Sequence, residues 1–418
     1  MAILKIITRI SLIGLLFVLC VLLCACSFTG QQDHLIERLD AINRPFDLSV
    51  TPQGGTPAGE PVQLNIVSIG DILMHYPWQR EFDSAGNSVF PEYFQYINDL
   101  TSNADLALCN IEAPFAGGEP AGYPLFNMGD TMAPAVKEAG FDVVYTAHNH
   151  MLDQQSDAVF RTVEVLRNAN LLTTGSRLDV NEPNYAFVET KGVKIAIGAY
   201  TYESNPGAIN GLPIPAHMTP YINSYTASYT EDLAEMKAVV DAGRAAGADL
   251  VVFYLHDGIE YSHVPSYEQR SVAQFLIDNG VDIIFCSHVH VVQPIELVTP
   301  TNGGTPVPVY WGMGNYISGQ VVEWGMEPAN EVGILADLNL TWNPATRQID
   351  TIDMKYLPLW NTHYTSGGRM VNTVIPLRDD MDVATNPSIQ ISGHLQRALS
   401  AFDEVHAIVG DNISWQRS

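Results

Sequence analysis

From Val62 onward, short apolar segments of strand length alternate with longer segments in which apolar residues recur at helical spacing. The apolar segments include LNIVSI, ADLALCN, FDVVYTA, VKIAIGAY, ADLVVFYL and VDIIFCS, and the helical ones include VFRTVEVLRNAN, TEDLAEMKAVVDAGRAAG and SYEQRSVAQFLIDNG. Strands that alternate with helices favour parallel pairing, because the helix carries the chain back to the same end of the sheet. Three later segments, VPVYWGMGN, GILADLNLTW and IDTIDMKYLPLW, lack intervening helices and are predicted to be antiparallel. The pattern predicts a layered α/β domain with mixed sheets.

The N-terminus has a different pattern. In residues 1–25, Lys5 and Arg9 precede an uncharged apolar run, which is typical of a secretory signal peptide. The run ends in LCAC and resembles a bacterial lipobox. That resemblance implies that Cys26 is acylated and anchors an extracytoplasmic lipoprotein of a bacterium in the lipid bilayer; an ordinary signal peptide rich in cysteine is the alternative. Residues 26–61 are polar and close in a Gly- and Pro-rich stretch, which predicts a flexible tether.

The remaining chain is predicted to contain one main domain. Residues 62–362 hold the alternating strands and helices. Residues 363–418 are interpreted as a C-terminal extension, in which one amphipathic helix is expected between Ser388 and Val409 and is expected to pack on the core.

The charge balance narrows the range of partners. The chain has 20 basic and 46 acidic residues, and its formal net charge at pH 7 is −26. A surface of this sign repels nucleic acid, so no nucleic-acid partner is expected. The same negative charge also disfavours a binding groove for a polyanion. It does not indicate which reaction the protein catalyses.

Histidines and acids gather at the ends of the predicted strands. Ligands bind beyond the carboxyl ends of parallel strands, so these side chains are expected to meet. Mixed imidazole and carboxylate sets suit Zn, Mn or Fe better than Ca or Mg, which prefer oxygen ligands. The sequence therefore predicts a hydrolytic centre for one or two divalent metal ions. The residues at these ends are Asp71, His75, Asn110, Glu112, His148, Asn149, His150, His256, His288 and His290.

Six motifs in this order resemble the CapA family of poly-γ-glutamate capsule synthesis proteins, which shares the fold of the calcineurin-like metallophosphoesterases. The motifs are IGDIL (69–73), ADLALCNIEAPF (104–115), GFDVVYTAHNHMLD (140–153), ADLVVFYLHDGIEY (248–261), VDIIFCSHVHVVQPIE (281–296) and VYWGMGNYI (309–317). The resemblance runs from about Val62 to about Ile317. It implies an α/β/β/α sandwich with mixed sheets and a metallophosphatase-like site.

The resemblance also implies a role for each matching residue. His150 corresponds to a general acid that protonates the leaving oxygen, and Asp153 is expected to orient it. The implied metal ligands are Asp71 and His290 for a first metal, Glu112 as the bridge between two metals, and Asn149, His256 and His288 for the second.

The sequence departs from the pattern at the first metal. The superfamily has Asp-x-His there, whereas Asp71 is followed by Ile and Leu. His75 is a candidate replacement ligand, and an ordinary loop histidine is the alternative. The second metal is therefore better supported, and occupancy by one ion is a further alternative. Gly314 and Asn315 are interpreted as part of a tight turn rather than a phosphate-binding loop.

Three functions remain open from the sequence. The resemblance implies a surface lipoprotein of capsule or poly-γ-glutamate synthesis or export, with a membrane complex for polymer synthesis as its partner. The ligands alone also suit an extracellular metal-dependent phosphoesterase that acts on a small phosphorylated substrate. The incomplete first motif leaves a non-catalytic tethered binding or scaffold domain as the third.

Overall fold

Two mixed β-sheets face each other and carry helices on their outer faces. The computed structural model describes residues 59–75, 86–366, 369–377, 395–410 and 414–415. The predicted signal peptide, Cys26 and most of the predicted tether lie outside the described residues. Among the helices described, none is both long enough and apolar enough to cross a lipid bilayer.

The elements follow the alternation that the sequence predicts. The strands are β1 (Val62–Leu73), β2 (Leu106–Ile111), β3 (Val143–Tyr145), β4 (Leu172–Thr174), β5 (Tyr185–Thr190), β6 (Val193–Tyr202), β7 (Ala208–Ile209), β8 (Leu212–Pro213), β9 (Ser224–Tyr225), β10 (Leu250–His256), β11 (Ile283–Ser287), β12 (Ile295–Val298), β13 (Val307–Tyr310), β14 (Asn315–Ser318), β15 (Val332–Asn343), β16 (Gln348–Ser366), β17 (Arg369–Pro376) and β18 (Ser414–Trp415). The α-helices are α1 (Asn98–Asn103), α2 (Met132–Glu138), α3 (Gln155–Asn168), α4 (Thr230–Ala245), α5 (Tyr267–Asp278) and α6 (Leu395–Val409).

Each large sheet combines a parallel centre with antiparallel strands. The first sheet has the order β17-β16-β15-β1-β2-β3-β4, with β14 also paired to β1 and β18 to β16. Its strands β1 to β4 are parallel, and β15 to β17 form an antiparallel arm. The second sheet has the order β12-β13-β11-β10-β6-β5, with β9 beside β6. In it β6, β10, β11 and β13 are parallel, and β5 and β12 are antiparallel edges.

The prediction that the later strands are antiparallel is correct for β15 and β16, whereas β13 is antiparallel to β12 and parallel to β11. Strand β12 reverses the chain before β13 begins, so the β12–β13 hairpin brings β13 back parallel to β11. Strand β14 then crosses to the first sheet and pairs with β1 in parallel. The absence of a helix between strands therefore does not fix their direction.

The side chains form a core between the sheets and a second layer outside each sheet. Along β1, Leu64 and Ile66 belong to the cluster between the sheets, whereas Val67 and Ile69 belong to the cluster under α2 and α3. Helices α4 and α5 cover the second sheet in the same way. Both faces of the central strands are buried, which explains their continuous apolar sequences. The α/β/β/α sandwich is confirmed.

The C-terminal helix α6 packs on this core. Its residues Ala398, Ala401, Val405 and Val409 belong to the cluster between the sheets. Residues 388–394, where the sequence also predicts helix, lie outside the described residues. Helix α6 therefore shares its apolar contacts with the two sheets.

The first sheet continues past residue 362. Strand β16 runs to Ser366, and β17 and β18 both pair with it. The chain on both sides of residue 362 thus belongs to one sheet.

Two glycines allow the end of β1 to lie against the start of β14. A Cβ atom on Gly70 would lie 2.0 Å from the carbonyl oxygen of Gly314, a distance that excludes any other residue. Gly314 has φ +67°, in the left-handed region that favours glycine. The backbone amide of Asp71 donates to the same carbonyl at 3.0 Å. This close approach fixes the position of Asp71 at the edge of the sheet.

Candidate metal centre

Polar residues from both sheets meet at the carboxyl ends of the parallel strands. Asp71 lies near the end of β1, and Glu112 directly follows β2. His256 ends β10, and His288 and His290 follow β11 on the opposite sheet. All five are at most 2% exposed. The first sheet supplies the acids and the second supplies the imidazoles.

Three of these residues form the first of two candidate ligand groups. Glu112, His256 and His288 offer ligand atoms that all lie within 4.8 Å of one another. The Nε2 atom of His256 lies 3.5 Å from Oε1 of Glu112 and 3.0 Å from Oδ1 of Asn149. The hydroxyl of Tyr254 lies 2.9 Å from Nδ1 of His256, so one ring nitrogen is engaged while the other faces the acids.

The second group shares Glu112. Asp71, Glu112 and His290 again bring ligand atoms within 4.8 Å of one another. His290 places Nδ1 3.5 Å from Oδ2 of Asp71 and Nε2 3.8 Å from Oε1 of Glu112. Asn110 donates from Nδ2 to Oδ1 of Asp71 at 2.8 Å. A carboxylate common to both groups is the arrangement that a pair of bridged divalent ions requires.

Several buried atoms here have no hydrogen-bond partner. Both carboxylate oxygens of Glu112, Nδ1 of His288 and Oδ1 of Asn110 are in this state. Leaving a buried carboxylate without donors is costly, and such charges are normally paired or bound to a metal. The donor set of two acids, three imidazoles and an amide therefore fits one or two divalent ions, with their identity left open.

The electrostatics keep the imidazoles in the form that binds metal. Burial lowers the pKa of His256 to about 3 and that of His288 well below its usual value. Both rings are therefore neutral at pH 7 and carry a lone pair for a metal. Burial, followed by repulsion from Asp71, raises the pKa of Glu112 well above its usual value. A bound cation would reverse that effect by stabilising the carboxylate.

Asp71 is affected in the opposite direction. Burial alone would raise its pKa, but the hydrogen bond to His290, the nearby imidazoles and the Asn110 amide together lower it. The main-chain amide of His288 also donates to its Oδ2 at 3.3 Å. The centre therefore contains one carboxylate that has donors and one, Glu112, that has none.

His150 lies beside these groups and belongs to neither of them. Its Nδ1 atom lies 2.8 Å from Oδ2 of Asp153, which also accepts the backbone amide of Phe126. The ring of Phe126 packs edge-on against His150 at 4.6 Å between centroids. These contacts hold the His150 ring in one orientation. The catalytic roles of His150 and Asp153 stay predictions.

His75 also lies outside both groups. Its Nδ1 atom is 3.1 Å from the carbonyl oxygen of Leu73 and 3.2 Å from the backbone amide of Gly319, and a single protonation state satisfies only one of these contacts. Burial lowers its pKa to about 4. His148 is buried, with its ring 6.2 Å from that of His256. Metal ligation by His75 stays a prediction.

Asn315 is the main residue of the site that sequence reasoning assigned elsewhere. It begins β14, is fully buried, and lies with Oδ1 3.1 Å from Nδ1 of His290. The preceding Gly314 does adopt a turn conformation, so the turn interpretation describes only the residue before it. An amide at the start of the short strand NYIS was the available signal, because a buried amide needs hydrogen-bond partners.

A family model described as "Bacterial capsule synthesis protein PGA_cap" matches residues 65–320. The chain is 26% identical over 268 residues to the capsule biosynthesis protein CapA of Bacillus anthracis, covering 62% of this chain and 60% of that protein. It is 25% identical over 260 residues to the PGA biosynthesis protein CapA of Bacillus subtilis, covering 60% and 62%. The match thus spans less than two thirds of the length of either relative.

Solved structures with a similar arrangement include a phosphatase of Mycoplasma pneumoniae, at 15% identity and a TM-score of 0.43, covering 72% of this chain and 95% of that one. The sulfate thiohydrolase SoxB of Thermus thermophilus is also 15% identical, with a TM-score of 0.38 and coverage of 72% and 42%.

Replacing Glu112 by Gln removes the ligand that both groups share. We expect the variant to retain no Mn²⁺ after equilibration and desalting, as measured by elemental analysis, because an amide is a weaker ligand than a carboxylate. Glu189→Gln, at an exposed position of β5, is the matched control and should retain the wild-type amount. Unchanged metal content in Glu112→Gln would exclude Glu112 as a shared ligand.

The same variant changes the stability of the metal-free protein. The pKa of Glu112 is higher in the folded protein than in the unfolded chain, so the folded protein binds more protons. The free energy of unfolding that Glu112 contributes therefore falls as pH rises above about 4.3, the pKa of Glu in an unfolded chain. The difference in unfolding free energy between Glu112→Gln and wild type should therefore grow from pH 4.3 towards neutrality, in favour of the variant. Denaturant titrations in the presence of a chelator measure this difference.

Proposed function

Because the chain belongs to the bacterial capsule synthesis protein family PGA_cap, we propose that it is a surface-anchored lipoprotein acting in capsule or poly-γ-glutamate synthesis or export. Its metallophosphatase-like centre binds one or two divalent ions in this proposal. A membrane complex for polymer synthesis is the proposed partner, and the acylated Cys26 is the proposed anchor.

The observation that carries the proposal is the unpartnered carboxylate of Glu112 between two sets of ligands. Both sets lie within the residues that the family model matches. A domain that served only as a scaffold would have no need for a buried carboxylate without donors, because replacing it would relieve the cost of its burial.

The residues support a division of labour in phosphoryl chemistry. Asp71, Glu112, His256, His288 and His290 would hold the ions, with Asn149 beside them; ions bound there supply charge stabilisation to phosphoryl oxygens and lower the pKa of water. His150 would give a proton to the leaving oxygen from Nε2 when the ring is doubly protonated, with its Nδ1–H donated to Asp153. Asp153 would orient the ring and stabilise its positive charge before the transfer.

A second candidate function is hydrolysis of a small phosphorylated substrate outside the cell. The net charge of −26 and the exposed Glu260, which is close enough to Glu112 to raise its pKa, favour it. This field repels a long polyanion more strongly than a small ester, because the repulsion adds up along the chain.

Deletion of the gene in its host should reduce surface polymer, and wild-type protein should restore it. His256→Ala should not restore it, because it removes a ligand from the centre. His217→Ala, at an exposed position far along the chain from the motifs, should restore it fully. Surface polymer that is unchanged after deletion contradicts the capsule role, and full rescue by His256→Ala favours the scaffold alternative.

His150→Ala should keep its metal and lose turnover by about 100- to 10,000-fold, the usual contribution of general acid catalysis. Hydrolysis of p-nitrophenyl phosphate and bis-p-nitrophenyl phosphate with added Mn²⁺ measures the rate, and elemental analysis measures the metal. Loss of metal in His150→Ala would instead assign it a ligand role. Wild-type protein that binds metal and hydrolyses neither ester would count against the phosphoesterase alternative.

Cys26→Ala should release the protein from the membrane fraction, because the thioether-linked lipid would be absent. Fractionation of cells and metabolic labelling with palmitate are the measurements, with Cys24→Ala as the matched control. A Cys26→Ala variant that remains in the membrane and takes up label as wild type does would overturn the anchor.

A further inference from the structure

Asn315 determines how His290 is presented to the acids. Its Oδ1 atom accepts from Nδ1 of His290, which leaves Nε2 unprotonated and directed towards Glu112. The orientation of the Asn315 amide is itself fixed, because Nδ2 donates to Oε1 of Gln320 at 3.0 Å and to the carbonyl oxygen of Asn330 at 2.9 Å. The Asn330 peptide is therefore one of the groups that hold the tautomer of His290, beside Gln320 and Asp71, whose Oδ2 lies 3.5 Å from the same Nδ1.

Asn330 belongs to a short 3-10 turn, Pro328–Glu331, which is anchored by its last residue. Glu331 is 2% exposed. One carboxylate oxygen accepts the backbone amide of Val322 at 2.9 Å, and the other lies 3.4 Å from Nε1 of Trp360. These neutral donors leave the negative charge of Glu331 uncompensated.

The compensating cation comes from the C-terminal helix α6. Arg397 donates from Nη2 to the buried Glu331 and from Nη1 to Oε1 of Glu323 at 2.6 Å. In the described part of the chain, Arg397 is the only cation in contact with Glu331. Asn330, Glu331 and Arg397 all lie beyond residue 320, where the family match ends.

We propose that Arg397 is a positioning residue for the half of the metal centre that contains His290. It neutralises Glu331, holds the 3-10 turn, and through Asn330 and Asn315 keeps the Nε2 lone pair of His290 available for a metal. The inference rests on the proposed metal centre and adds that the C-terminal helix controls one of its two ligand groups.

Arg397 could also serve only to attach α6 to the sheets. That role would lower overall stability and weaken both ligand groups alike. Among the hydrogen bonds of the described residues, none joins the group of Glu112, His256 and His288 to the 3-10 turn. A positioning role would therefore weaken metal binding only at the group that contains His290, whereas simple attachment of α6 would weaken both groups.

Isothermal titration of Mn²⁺ into the full chain, purified in detergent and stripped with a chelator, tests the inference. Arg397→Ala should weaken one binding step by about 10- to 100-fold, the usual effect of removing a residue that orients a ligand, and leave the other unchanged. The weakened step should be the one that His290→Ala abolishes. Glu323→Gln, which removes only the exposed partner of Arg397, should leave both steps as in wild type.

Arg397→Lys keeps the charge without the two-pronged donor geometry and should show a smaller loss on the same step. It also serves if Arg397→Ala does not fold. Unchanged binding in both variants overturns the inference alone, as does equal weakening of both steps. If the wild-type protein binds only one ion and His290→Ala still binds it, the inference is overturned as well. Wild-type protein that takes up no Mn²⁺ overturns the proposed metal centre together with the inference.

The tautomer gives a readout that needs no metal. Imidazole ¹⁵N spectra of the metal-free protein should place the His290 proton on Nδ1 in wild type and on a mixture of both nitrogens in Arg397→Ala. The same tautomer in both proteins would contradict control of His290 by Arg397.

Discussion

Asp71 and Glu112 are both fully buried at the edge where the two sheets meet, and only Asp71 has hydrogen-bond donors. A carboxylate in this environment must be protonated or compensated by a cation. His256 and His288 stay neutral because burial lowers their pKa values, so these two rings cannot supply that cation. A buried carboxylate without donors, surrounded by neutral imidazoles, favours a bound cation, and this is why the site is a candidate metal centre.

The packing of the two sheets brings the buried acids and the neutral histidines together. Neither sheet holds a complete ligand set, so the distance between the sheets is part of the site. Tyr145 and Tyr254 set that distance locally, since their rings stack across the interface at 4.0 Å. On the second sheet, His288 and His290 have φ values of 104° and 59°, a conformation that strains residues other than glycine and recurs at functional sites. The backbone there is shaped to direct two rings into one centre.

The site residues at strand ends could be predicted from the sequence, because a polar residue directly after an apolar run is a local pattern. This signal identified Asp71, Glu112, His256, His288 and His290 before the fold was known. Asn315 escaped it because its neighbours indicate a turn, while its contacts arise from the long-range pairing of β14 with β1. The parallel pairing of β13 with β11 escaped too, because the sequence pattern did not mark β12, which reverses the chain between them. Glu331 and Arg397 meet across 66 residues of sequence, and no periodic pattern marks such a pair.

The acidic surroundings of the centre have a consequence for the order of events. Before a cation arrives, Asp71 and the exposed Glu260 present a negative field, which repels a phosphate ester. A divalent cation inverts the local field, and only then does the pocket attract an anion. In the proposed phosphoesterase, binding would therefore be sequential, with the cation first and the ester second. Under that proposal, the metal-free protein in a cell short of metal would leave the ester unbound rather than hold it without hydrolysing it.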